Sequence, residues 1–199
     1  MNIITPDSIP SMAPDHPDCR VDPDGPTRVL LSCHDKIRDL SGLLLRLDVQ
    51  VIHYGIDEAA RTAAGEILHY FETEVPLHHA DEQRDLFPLL LSFGNATVAQ
   101  ALDALKPEHA ALGVMWRNVR PWLDSIQRRR PLPRPKSLAT FATRYPAYAD
   151  REEREVYWAA RELSSMQARQ LLENMTQRRE AVDPTRTAAR APRRKAGAH

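Results

Sequence analysis

From about Thr27 onward, apolar residues recur every three or four positions, and the period persists with breaks to about Arg178. That spacing lines them along one face of an α-helix. The first helical stretch covers residues 27–55, with Pro26 where a helix accepts proline at its first turn. The second covers 57–93, where Gly94-Asn95 marks a turn. A third covers 96–127 and is ended by an arginine- and proline-rich connector, and a fourth covers 137–163. A shorter amphipathic segment at 166–178 is a candidate extra helix, with Leu171, Leu172 and Met175 packing back. Four long helices with short connections predict an all-α, up-and-down four-helix bundle, an architecture that builds sites from facing helices.

The flanks lack this pattern. Residues 1–26 are rich in proline and aspartate and poor in large apolar side chains, so a disordered arm is expected. Residues 181–199 are basic and aperiodic and read as a second disordered tail, which leaves 27–180 as one bundle domain.

Composition changes little in this picture. The chain of 199 residues carries 27 basic and 27 acidic side chains, so no charge excess points to nucleic acid or a membrane surface. Cys19 and Cys33 form neither a disulfide framework nor a CxxC clip, which favours a reducing compartment. No secretory leader or run of membrane-helix length is legible. A cytoplasmic protein is expected.

Chemistry enters through a repeat. Pro76 is followed at two positions by His78, then by Glu82 four further on and Phe87 five beyond; Pro146 is followed identically by Tyr148, Glu152 and Tyr157. Pro107 likewise precedes His109 by two. Proline within a helix removes a backbone bond, so helices 2 to 4 are expected to kink or restart at these points, around a common object.

Residues four apart share a helix face, so His78 with Glu82 can ligate one ion or two ions bridged by the carboxylate. Their face continues through Val75, Leu86 and Leu89; the face of Tyr148 and Glu152 carries Phe141, Tyr145, Val156 and Ala159. His34 lines up with Leu30, Leu31, Ile37, Ser41 and Leu44, and His109 with Leu105, Leu112 and Trp116. Singly, either of these histidines reads as a hydrogen-bonded core residue. The His78–Glu82 pair, flanked by Asp81, Gln83, Arg84 and Asp85, could equally be a solvated charged face. Jointly, one nitrogen or oxygen donor set on each of four apolar faces points to metal, because a carboxylate on a core face is costly unless paired or ligating. Imidazole and carboxylate without thiolate suit iron, manganese or zinc, and carboxylates with histidines in a bundle core form the di-iron or di-manganese pattern. His79, His53, His69 and His16 lack this setting, Cys33 faces another way, and the arginines at 128–130 with Arg134 read as a solvated connector.

Over residues 25–163 the chain resembles the hemerythrin-like, or HHE cation-binding, domains. The resemblance rests on His34, His78-His79-Ala80-Asp81-Glu82 leading into Leu86-Phe87-Pro88, Glu108-His109, and Glu152-Glu153 leading into Val156-Tyr157. Its spacing is closer to the di-iron proteins implicated in iron–sulphur-cluster repair than to the oxygen carriers, because Gly113 stands where the carriers have a second histidine. The resemblance implies that Glu82 and Glu152 bridge two irons, with His78 and His109 on one and His34 on the other; manganese or zinc are lesser candidates. The family's remaining histidine is Tyr148 here. Either its phenolate ligates, favouring ferric iron over reversible oxygen carriage, or it points away and leaves that position short of a ligand.

These readings imply a di-iron protein that binds or reacts with oxygen, nitric oxide or peroxide, in a stress response or in repair of iron–sulphur centres. Whether it turns over is open. Expected partners are the small ligand itself and, at most, a second copy of the chain, as monomer or homodimer, with neither nucleic acid nor membrane. The rival is a degenerate bundle with one metal or none, acting as a regulatory or interaction domain.

Overall fold

The computed structural model describes residues 25–182 apart from residue 131. The expected arm and basic tail therefore lie outside the described residues, except that Gly25 and Pro26 open the first helix and Ala181 and Val182 close the last. Among the described residues there is no strand. The elements are α1 (Pro26–Tyr54), α2 (Glu58–Asp81), a π turn (Glu82–Leu86), α3 (Phe87–Ser92), α4 (Ala96–Gln127), α5 (Leu138–Glu155), a 3₁₀ turn (Tyr157–Glu162) and α6 (Ser165–Val182).

Local chemistry sets the boundaries. Asp57 accepts from the Ala60 amide at 2.7 Å, and Asn95 accepts from Thr97 and Val98, so α2 and α4 each begin on a side-chain cap. Gly94 adopts φ of 72°, which a residue with a Cβ reaches only with strain, and so turns the chain between α3 and α4. The fourth stretch was expected to stay helical to 163. Instead the α-helix ends at Glu155, where the Trp158 indole donates to the freed Glu155 carbonyl at 3.0 Å, and a tighter turn follows.

α1 packs on α2 and α5, and α4 packs on the same two, so chain neighbours are spatial neighbours around the bundle. Leu30, Ile37, Leu44, Ile67, Leu105, Leu123, Ile126 and Phe141 are essentially inaccessible along its axis, each contributing roughly 1.5–3 kcal/mol by burial. α6 adds Leu171 and Met175 and packs against α1, α2 and the π turn. The connector is not wholly solvated: Arg134 holds the buried Asp48 of α1 with two bonds of 2.6 and 2.7 Å.

No helix is interrupted at Pro76, Pro107 or Pro146. The departure from α geometry falls six residues after Pro76, in the π turn, where the Phe87 amide reaches back to the Glu82 carbonyl. One extra residue per turn shifts the register of everything downstream. Hence Leu90, at 1% exposure, and not the expected Leu89, continues the buried face of His78, Glu82 and Leu86.

Candidate metal centre

Four side chains converge in the interior of the bundle: His34 from α1, His78 from α2, Glu82 at the start of the π turn, and Glu152 from α5. Each offers one ligand atom, these atoms lie within 4.8 Å of one another, and all four residues are buried. His78 Nε2 is 3.3 Å from Glu82 Oε1; His34 Nε2 is 3.3 Å from Glu152 Oε2 and 4.0 Å from Glu82 Oε1. The two imidazoles meet edge to face with centroids 4.8 Å apart.

A layer of hydrogen bonds orients these groups. Glu153 Oε1 lies 2.8 Å from His34 Nδ1 and also accepts from Arg38 at 2.7 Å, which turns the Nε2 atom of His34 inward. A carboxylate on the outer nitrogen of an inward-facing imidazole is the usual support for a ligating histidine. Tyr157 donates to Glu82 Oε1 and stacks on the His34 ring at 5.3 Å. Tyr148 donates to Glu152 Oε1 at 2.9 Å.

Tyr148 and His109 occupy one flank. The Tyr148 hydroxyl lies 3.3 Å from His109 Nδ1, and Gln83 Nε2 is 3.3 Å from His109 Nε2. The structure thus brings His34, His78, Glu82 and Glu152 into one cluster, sets Tyr148 on its edge, and holds His109 one hydrogen bond further out, half-buried. His79 belongs to this flank: its ring lies 4.2 Å from that of His109, and its Nε2 is 2.8 Å from the Tyr145 hydroxyl.

Burial and the neighbouring Glu152 charge push the Glu82 carboxyl well above its ordinary range, although the Tyr157 hydrogen bond partly opposes them. Burial, with the charges of Glu152 and Glu82, holds the Tyr148 phenol protonated. Burial, reinforced by His34 and His79, keeps His78 neutral. Burial also lowers His34, but its bonds to Glu152 and Glu153 outweigh this and raise it.

The cluster fits a cation. Among the described residues Glu82 Oε2 and His78 Nδ1 are buried without a hydrogen-bond partner, and Glu152 Oε2 has only the His34 contact. Two facing carboxylates in an apolar interior are costly unless a positive charge joins them. Two imidazoles and two carboxylates without sulphur match iron, manganese or zinc.

Several supporting residues were not legible as such. Asp81 stood among the flanking charges of a solvated face, yet it is inaccessible and paired with Arg178 and Arg179 of α6. Asp85 pairs with Arg178 and accepts from Asn174. Glu153 appeared only as part of a motif. Its neighbour Glu152 was assigned the core face, and a helix turns about 100° per residue, so spacing alone placed Glu153 elsewhere. Its partner is 119 residues distant.

The family model for the hemerythrin HHE cation-binding domain matches residues 25–160, from the start of α1 into the 3₁₀ turn. An uncharacterized protein of Haemophilus influenzae is 30% identical over 101 residues, covering 51% of this chain and 58% of that protein. The match therefore spans less than two thirds of that relative. With the bundle, the buried His/Glu cluster and a family match over most of its folded length, the chain belongs to the hemerythrin HHE cation-binding domain family.

Proposed function

We propose that the chain is a non-haem di-iron protein that binds or reacts with a small oxidant: oxygen, nitric oxide or peroxide. The observation that carries this reading is the pair Glu82 and Glu152, buried side by side between imidazoles with carboxylate oxygens left unsatisfied. An iron pair bound there would supply electrons and an open coordination position.

The protein's own residues supply the rest. His34 and His78 would hold the metal with their imidazoles, and Glu82 and Glu152 with their carboxylates. Glu153 and Arg38 fix His34, and Tyr157 fixes Glu82. Tyr148 keeps a proton on its hydroxyl between Glu152 and His109, so it can donate to a ligand arriving on that flank or, on losing the proton, become a ligand itself. The buried leucines and aromatics of the core keep the dielectric around His34, His78 and Glu82 low, which strengthens the interactions there. A reducing cytoplasmic setting and a role in stress response or iron–sulphur repair belong to this same proposal.

A single metal is the second reading, favoured by the arrangement of His109 outside the four-residue cluster. Metal content per chain, with the visible spectrum, separates the two. Two irons with a charge-transfer band support the di-iron reading, and loss of that band in Tyr148→Phe assigns the phenolate to iron. One metal after iron-supplemented expression supports the second reading, and none overturns both.

A further inference from the structure

The flank of the centre opposite His34 is not closed. A cavity of about 580 Å³ lies between the π turn with α3 and the first half of α4, and its inner wall is formed by Tyr148 and Glu152. The remaining wall is dominated by Phe87, Leu91, Leu102 and Leu105, with Ala99 and Ala110 as small residues that leave room. A diatomic molecule needs little more than the space of one water, about 30 Å³, and a dry cavity of about 150 Å³ already holds benzene. The volume here belongs instead to the range of organic-ligand pockets, roughly 300–1,000 Å³.

Charge narrows the ligand further. At the solvent side Lys106 is paired with Asp103 at 2.7 Å, so that end presents no net charge. In the metal-free protein Glu152 and, behind it, Glu82 stand at the inner end and disfavour an anionic head group there. The Tyr148 hydroxyl, His109 and Gln83 can instead donate to, or accept from, a small neutral oxygen function.

From this geometry we infer that the cavity is a binding site for a neutral medium-chain organic molecule, an aliphatic alcohol or hydroperoxide whose oxygen head lies at Tyr148 and Glu152 and whose tail lies along Leu91, Leu102 and Leu105. The inference deepens the proposed function, naming the substrate class of the same flank, and rests on that reading for its relevance to oxidant chemistry. Binding itself requires no metal, which keeps the two separable.

The test is titration of the full-length protein, as purified and after chelation, with 1-octanol, with octanoate and with ethanol. Calorimetry follows affinity, and methyl spectra of the chelated protein follow location. Octanol is expected to bind the chelated protein saturably and shift the methyls of Leu91, Leu102 and Leu105, with octanoate and ethanol weaker by about tenfold or more. Ala99→Trp and Ala110→Trp, which fill the cavity from two positions on α4, are expected to abolish octanol binding while metal content and melting temperature stay unchanged. No saturable shift, a shift elsewhere in the bundle, or equal binding of octanoate by the chelated protein overturns the inference. A protein that binds octanol but no metal overturns the proposed function alone; one that binds two irons but no octanol overturns this inference alone.

Discussion

Tyr157, in the turn that follows the last bundle helix, donates its phenol to Glu82, 75 residues earlier in the chain. This bond ties the π turn to the far side of the bundle at the carboxylate whose other oxygen has no hydrogen-bond partner among the described residues. Tyr157→Phe keeps the ring packing and removes only the donor. Leaving a buried acceptor short of its hydrogen bond costs about 1–3 kcal/mol. The chelated protein is expected to lose that much in urea unfolding and the metal-loaded protein less, since a cation would satisfy the same carboxylate. Equal losses in both forms would mean that the bond does not serve the metal site.

α6 lies beyond the residues matched by the family model, yet its Arg178 and Arg179 neutralise Asp81, directly adjacent to Glu82. Replacing both arginines with alanine strands a buried carboxylate, at a cost on the order of 3 kcal/mol. For a domain of this size that corresponds to a melting temperature lower by roughly 6–12 °C. Adding Asp81→Asn to the double variant is expected to restore much of the loss. A double variant that melts with the wild type would show that α6 does not anchor the π turn.

Metal bound only by the native state adds its binding free energy to stability. With free metal at a hundred times its dissociation constant, the gain is about 2.7 kcal/mol. Exhaustive chelation is therefore expected to lower the melting temperature by roughly 5–10 °C, and readdition of iron to restore it. An unchanged melting temperature would favour a bundle that folds and acts without metal.

His79 yields a pH dependence. Burial, with the His109 charge, lowers its folded-state value from 6.5 to about 3. The folded protein therefore holds the imidazole neutral, and the unfolded chain takes up the proton first. Stability from this group is complete above pH 6.5 and is lost as pH falls from there toward 3. In His79→Gln the chelated protein is expected to show a shallower decline over that window, read from denaturant midpoints against pH. Parallel curves for wild type and variant would exclude this contribution.

The helices and the ligand types were legible because both depend on local spacing. A period of 3.6 stacks His78 on Glu82 and Tyr148 on Glu152 wherever the chain is helical, and it marks the faces that must be buried. The same rule failed at Leu89, because a π turn is a local change of period that no residue of Glu82–Leu86 announces. Arg134 reads as part of a solvated connector, and Asp81 as part of a charged flank in one of the two readings of the His78–Glu82 pair, for a related reason: neither shows in sequence the partner that lies on another helix.

By itself, then, the sequence determined an all-α chain of amphipathic helices with imidazole and carboxylate groups on their apolar faces. Only the tertiary structure decided which of those groups meet. It joined His34 and His78 to Glu82 and Glu152, set His109 behind Tyr148, placed Glu153 on His34, closed α6 over Asp81, and left a cavity at Tyr148 and Glu152. The division is physical. Intrahelical neighbours follow from backbone hydrogen bonding three or four residues apart, whereas neighbours across helices follow from the rotation and crossing of packed helices, which the whole core sets together.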